Sequence, residues 1–342
     1  MLSGMTGRDY RFLSVEPEDI DALTLSDVKS AIESFLTTDN IEISFSGDLP
    51  RDTFEHLALT YLGTVPPSTS KVDPRPLSIP MASAPPLSGR DLFLEVPDSD
   101  ARAVAYVAGT APNKWGVMAD GREALAEPAA TGVDDVGLQR KRGGILPYLK
   151  KFSEGIKRRG GIEGVSSTTL DQDFRRHPLF PCVTLQLLQE VLNRRLFSTV
   201  RERKRLTYDA NFHLTAFERI QGSWYLVTVT AKPELAQKAL DACKETLHAA
   251  QTWDPITRDN LQSAAYELIS RHEGALQTNR YWVELMSGLQ LDCVPGKDPS
   301  YYRDFGPMIQ SVHVGDVQAM LDCLATDEGM WTCIGSSGGA GA

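Results

Sequence analysis

The stretch LFSTVRERKRLTYDANF, Leu196 to Phe212, carries the two side chains best suited to act together on one bond: Arg201 and, seven residues on, Tyr208. A guanidinium offers a rigid fork of N–H donors suited to carbonyl oxygens, and a phenol adds an O–H. Aimed at one point and closed off from water, they would stabilise negative charge developing on an amide carbonyl oxygen under attack. A plainer account is a helix-end arginine complementing the helix dipole and a tyrosine packed on a sheet. Taken alone, the residue types fit the plainer account better. The helix–turn–strand setting favours the first, because it would hold both groups at a sheet edge.

The chain supplies no obvious metal to accompany them. A catalytic zinc site draws two ligands from paired histidines at i and i+4 of one helix. The six histidines are His56, His177, His213, His248, His272 and His313, and the closest two are 24 residues apart. No His-x-x-Glu-His is present. Its nearest approximation is Asp52-Thr-Phe-Glu55-His56, with Asp in the first place; these residues would share a helix face opposite the apolar one. An acidic first turn facing solvent is sufficiently explained by the helix dipole. His272-Glu273 reads as a solvated pair. Gly335–Gly341 lacks the following helix and the Lys-Ser/Thr of a phosphate loop, and no nucleophile elbow occurs.

Composition narrows the class. The length of 342 residues points to about two domains. No apolar run reaches the roughly 18 residues of a spanning helix, and the N-terminus lacks the pattern of a signal or organelle-targeting peptide. Cys182, Cys243, Cys293, Cys323 and Cys333 are odd in number, widely spaced and without a Cys-x-x-Cys. Reduced thiols in a cytosolic or stromal compartment are expected. The net charge of −10 is uneven: Arg140–Arg159 holds eight basic residues and one acidic, leaving 27 basic against 44 acidic elsewhere. Such a surface repels nucleic acid and attracts basic peptides, although solubility alone is the simpler reading.

Helical and strand periodicities place these residues. Thr24 and Asp27 form a capping box ahead of Leu25, Val28, Ile32, Phe35 and Leu36 at helical spacing. Ile41–Ser46 alternates as a strand, and a helix from Arg51 to Leu62 is expected to bury Phe54, Leu57, Ala58, Tyr61 and Leu62. This unit is the closing portion (1–66) of a domain. A Pro/Ser-rich linker, 67–90, follows, then a second domain, 91–334, and a disordered tail, 335–342. Strands are expected at Leu92–Val96 and Ala101–Ala108. A variable stretch at about 117–175 contains a basic amphipathic helix around Ile145–Ile156, more fitting as a surface helix than as a membrane contact. Helix Phe180–Val200, strands over Tyr208–Ala216 and 223–230, a helix from Pro233 to about Ala250 and a long helix from about Ile256 to Leu291 complete the pattern. The fold class is α+β.

The chain resembles the C-terminal, non-catalytic half of the M16 (pitrilysin/insulinase) zinc metallopeptidases, and within them the stromal processing branch. Leu23–Gly63, Ala105–Gly116, Arg176–Asp209, Trp224–Thr230, Tyr281–Asp298 and Trp331–Gly335 carry the resemblance. It implies an α/β sandwich with an antiparallel sheet and packed helices, and two halves closing on an unfolded peptide. Zinc and its glutamate base would belong to the other half, so this chain would bind no cofactor. Arg201 and Tyr208 match the family's substrate-side pair. The resemblance further implies a catalytic M16 half as partner, basic precursor peptides as substrates and a chloroplast stromal location. The basic segment 140–159 has no counterpart. A structural M16 homologue, like the core subunits of respiratory complexes, is the alternative.

Overall fold

A computed structural model describes residues 1–38, 41–67, 77–78, 91–95, 102–125, 174–289 and 300–337. Most of the expected linker and the whole basic helix lie outside these residues. Helix α1 (Leu25–Phe35) starts as its capping box dictates, Thr24 Oγ1 accepting from Asp27 N–H at 3.2 Å and Asp27 accepting from Thr24 N–H at 3.0 Å. Helix α2 (Arg51–Leu62) follows. Neither buries its apolar stripe: Leu25 is 85% exposed, Tyr61 72% and Leu57 41%. The expected burial of Leu57 and Tyr61 is therefore not met. Ile41–Ser46 is not a strand either; among the described residues no neighbour pairs with its backbone, and an alternating pattern makes a strand only beside a partner.

From residue 91 the chain builds a five-stranded sheet of β1 (Asp91–Glu95), β2 (Ala103–Ala111), β3 (Asp209–Leu214), β4 (Ser223–Ala231) and β5 (Trp331–Ser336), in the order β1-β5-β2-β4-β3. Three neighbouring pairs are antiparallel, but β1 lies parallel to β5. The sheet is thus mixed rather than purely antiparallel. β5 reaches Ser336, and the Ser337 hydroxyl donates to the Arg102 carbonyl at 2.9 Å, so the first residues expected in the tail are ordered within the sheet.

Alternation along the strands assigns the faces. Ala103, Ala105, Val107 and Ala111 of β2, with Tyr225, Val227, Val229 and Ala231 of β4, are buried in the main core. That core is closed by α3 (Phe180–Leu196), α4 (Ala236–Gln251), α5 (Arg258–Ala275), α7 (Tyr301–Ser311) and α8 (Val314–Asp322), with α6 (Asn279–Met286) beside α5. Gly109 leaves room for Tyr225: a Cβ there would lie 2.6 Å from the tyrosine ring. The ring is fully buried and its hydroxyl donates to the Ala325 carbonyl at 2.6 Å. The single long helix expected over 256–291 is broken at Leu276–Thr278, where Thr278 accepts from Tyr281 N–H at 3.3 Å and starts α6. A hydroxyl that caps a new helix competes with continuation of the old one.

His272 on α5 is buried, stacked on Phe305 at 4.1 Å, and its Nε2 meets the Tyr302 carbonyl at 3.1 Å. Burial holds its pKa below the ordinary 6.5, against the opposing effect of that hydrogen bond. Below pH 6.5 the unfolded chain therefore binds more protons at this site than the native one, and stability falls with pH until the folded pKa is passed. Urea unfolding at pH 7 and pH 5 should show a smaller loss of stability in His272→Gln than in the wild type. Equal losses would mean that His272 takes up its proton as readily in the native state as in the unfolded chain.

Candidate functional site

Gln189 and Asn193 interrupt the apolar side of α3 one turn apart, and both turn to β3. Asn193 Nδ2 donates to the Phe212 carbonyl at 3.0 Å, and its Oδ1 accepts from the Phe212 N–H at 2.7 Å. Gln189 Oε1 accepts from the Leu214 N–H at 2.9 Å. β3 pairs with β4 on its other side, so these amides satisfy its outward backbone. Helix and strand run in opposite senses here. Four helical residues advance about 6 Å and two strand residues about 6.7 Å. That match lets two amides one helical turn apart meet strand residues two apart.

The intervening chain closes this arrangement. α3 widens into a π-helical segment, Phe197–Arg203, which packs against β3; such turns recur at functional sites. Lys204 N–H donates to Thr199 and Leu206 N–H to Val200, each at 3.0 Å. Arg205, at φ 52°, reverses the chain. Lys204 Nζ is 2.5 Å from a Glu245 oxygen on α4. Thr207 donates to the Thr230 carbonyl at 2.5 Å and accepts from Asp209 N–H at 3.0 Å, which fixes the start of β3.

On this frame the Arg201 guanidinium lies over the Phe197 ring, 4.8 Å from its centroid, a cation–π contact. Tyr208 is 73% exposed. Among the described residues neither side chain is engaged in a hydrogen bond or ion pair, so both donors are available. Both lie in the chain just ahead of β3, whose Ala210, Phe212 and Leu214 turn towards the helices while the residues between them line the opposite face. Rows across that face are given by the register: Asp209, Thr230, Val104 and Gly335; then Asn211, Thr228, Tyr106 and Cys333; then His213, Leu226, Ala108 and Trp331.

A model of the family described as "Peptidase M16 inactive domain" matches residues 22–117 and 181–265. The chain is 35% identical over 342 residues to the chloroplastic stromal processing peptidase of Arabidopsis thaliana, covering 99% of this chain and 25% of that protein. It is 34% identical over 345 residues to that of Pisum sativum, covering 100% and 26%. The chain belongs to the M16 peptidase family. Its fold matches the solved M16 inactive domain of Pseudomonas fluorescens at a TM-score of 0.59 and 17% identity, over 95% of this chain and 60% of that one. The chain spans about a quarter of the length of the curated relatives it matches.

The zinc chemistry of M16 peptidases needs three protein ligands and an open position. Among the described residues no group of three or more His, Cys, Asp or Glu side chains could hold a metal ion. Glu55 pairs with Arg51 at 2.6 Å, and Asp52 and His56 are exposed beside it on α2. Cys182, Cys243, Cys323 and Cys333 are not joined in disulfides, and burial pushes the thiol of Cys243 up to about 12. No described helix is long and apolar enough to cross a membrane.

What sequence reasoning missed in this M16 domain is the pair Gln189 and Asn193; two amides four residues apart, ahead of Arg201, were the available signal. Asn193→Ala leaves the Phe212 N–H and C=O without their partner and should destabilise the domain by about 2–3 kcal/mol. Arg201→Ala and Tyr208→Phe, both exposed, should stay within about 0.5 kcal/mol of the wild type. Urea unfolding distinguishes the two classes; an Asn193→Ala protein as stable as the wild type would show that the strand edge is satisfied by other means.

Proposed function

We propose that this chain forms the substrate-gripping, hydrolytically inactive C-terminal half of a processing peptidase of the M16 family, with transit peptides of plastid precursors as its substrates. Arg201 and Tyr208, exposed just ahead of β3 with neither side chain in a hydrogen bond or ion pair among the described residues, carry the reading. Their N–H and O–H groups donate to carbonyl oxygens of the bound peptide and strengthen as charge grows on the one under attack. Zinc and the water-activating base come from a separate catalytic half.

Three further observations support the reading. The names of the Arabidopsis and pea relatives place them in the chloroplast and describe them as stromal processing enzymes. The acidic balance of the chain outside 140–159 steers basic peptides towards it. Residues 1–66 serve as the closing portion of an M16-like domain, which accounts for the exposed stripes of α1 and α2 and the unpaired alternating stretch at Ile41–Ser46.

The test joins this chain to an M16 half containing His-x-x-Glu-His, in one polypeptide or as two, and follows cleavage of a precursor peptide. Arg201→Ala and Tyr208→Phe should each lower turnover by about 10²-fold while leaving the unfolding transition in place. Unchanged turnover in both would instead support an assembly role without peptide chemistry. Zinc bound stoichiometrically by the isolated chain, with chelator-sensitive cleavage, would overturn the reading outright.

A further inference from the structure

In a chain with more acidic than basic residues an unpaired arginine is informative, because carboxylates are plentiful. Arginines elsewhere have found them: Arg51 meets Glu55, Arg175 meets Asp316, Arg194 meets Glu190, Arg280 meets Glu284 and Arg303 meets Asp304. The turn between the π-helical segment and β3 is different. Arg201, Glu202, Arg203, Lys204 and Arg205 are all exposed there. Lys204 reaches Glu245 on α4. Among the described residues Arg203 and Arg205, like Arg201, have neither a hydrogen bond nor an ion pair. The next carboxylate along the chain, Asp209, accepts from Asn211 at 2.8 Å instead.

The backbone draws these cations together. Leu206 N–H donates to the Val200 carbonyl at 3.0 Å, which sets the backbone of Arg205 against that of Arg201. Helix ends closed by a bond of this kind carry a residue at positive φ, and glycine usually takes that place. Here Arg205 takes it, at φ 52°. The helix dipole accounts for cations in the last turn. Arg205 lies beyond the helix, in a conformation that costs free energy for any residue with a Cβ. Backbone strain of this kind clusters at functional sites.

We infer that Arg203 and Arg205 form a carboxylate subsite, which selects peptides bearing an acidic residue close to the bond that is cut. A guanidinium fork matches a carboxylate through two parallel hydrogen bonds. The acidic body of the chain draws a basic segment in, whereas the arginine turn repels that segment and attracts an anionic one. The two fields together place the carbonyl held by Arg201 and Tyr208 where a substrate passes from basic to acidic. In setting the anion beside that carbonyl, the inference rests on the proposed function; the subsite itself stands on the unpaired arginines alone.

The test uses the full chain and three peptides of equal length carrying a neutral dye. Each has lysine and serine in its first half and alanine and leucine at its middle; the second half carries serine, glutamate or lysine. By fluorescence anisotropy at low ionic strength, the glutamate peptide should bind about fivefold more tightly than the serine peptide, and the lysine peptide should bind most weakly. The net negative charge of the chain by itself predicts the reverse order, so the sign of the difference decides. Arg203→Glu combined with Arg205→Glu, both at exposed positions, should invert the order, and about 1 M salt should erase it. A serine or lysine peptide bound as tightly as the glutamate peptide overturns the subsite. A glutamate preference that survives the double charge reversal also overturns it, because the anion then sits elsewhere. Cleavage by the chain joined to a catalytic M16 half separates the two readings. Glutamate-selective binding with turnover unchanged by Arg201→Ala and Tyr208→Phe keeps the subsite and removes the substrate-gripping reading. Loss of turnover in those two variants without any glutamate preference does the opposite.

Discussion

Two hydrogen bonds from one side chain couple the helix that ends near Arg201 to the strand that begins after Tyr208. Asn193 holds both the N–H and the C=O of Phe212, and Gln189 takes the next outward N–H at Leu214. An edge strand has to satisfy or protect its unpaired backbone, and here the helix does so from its own stripe. The same bonds close this stretch of edge to strand addition. The π-helical segment after α3 packs against the same strand and leads, through Arg205, back to its start.

Much of the C-terminal fold is legible in the sequence because its signals are local. The capping box at Thr24, the alternation in β2 and β4 and the apolar face of α3 all produce the elements they imply. Features that depend on a distant partner are not legible. Whether Ile41–Ser46 becomes a strand depends on a neighbour, and β1 runs parallel to β5 because a segment more than two hundred residues away comes to lie beside it. The break between α5 and α6 was legible in principle from Thr278. The resemblance of segments around Arg201 and Tyr208 located the candidate site; the amides that position it resemble ordinary polar residues on a helix.

The two sides of the sheet divide the labour. The helical side carries small β2 residues and the large side chains of α3, α4 and α8 in a continuous core. The opposite side is polar towards Tyr208, where Asn211 donates to Asp209 at 2.8 Å, and aromatic towards Trp224 and Trp331. The aromatic end is closed by the chain's own Met5 and Phe12, so apolar surface on this side is covered as it is on the other.

Exposure of the donors is itself informative. In water, hydrogen bonds from Arg201 or Tyr208 to a carbonyl replace equally good bonds to solvent and contribute little. Enclosed in a medium of low dielectric, the same groups act strongly on developing charge and need no reorganisation if their positions are already fixed. The Phe197 ring holds the Arg201 guanidinium, and the Thr207 bonds fix the backbone next to Tyr208, in the chain alone. Exclusion of water requires a second surface. On the proposed reading, a domain that leaves Tyr208 73% exposed acts only when another surface covers that end of the sheet.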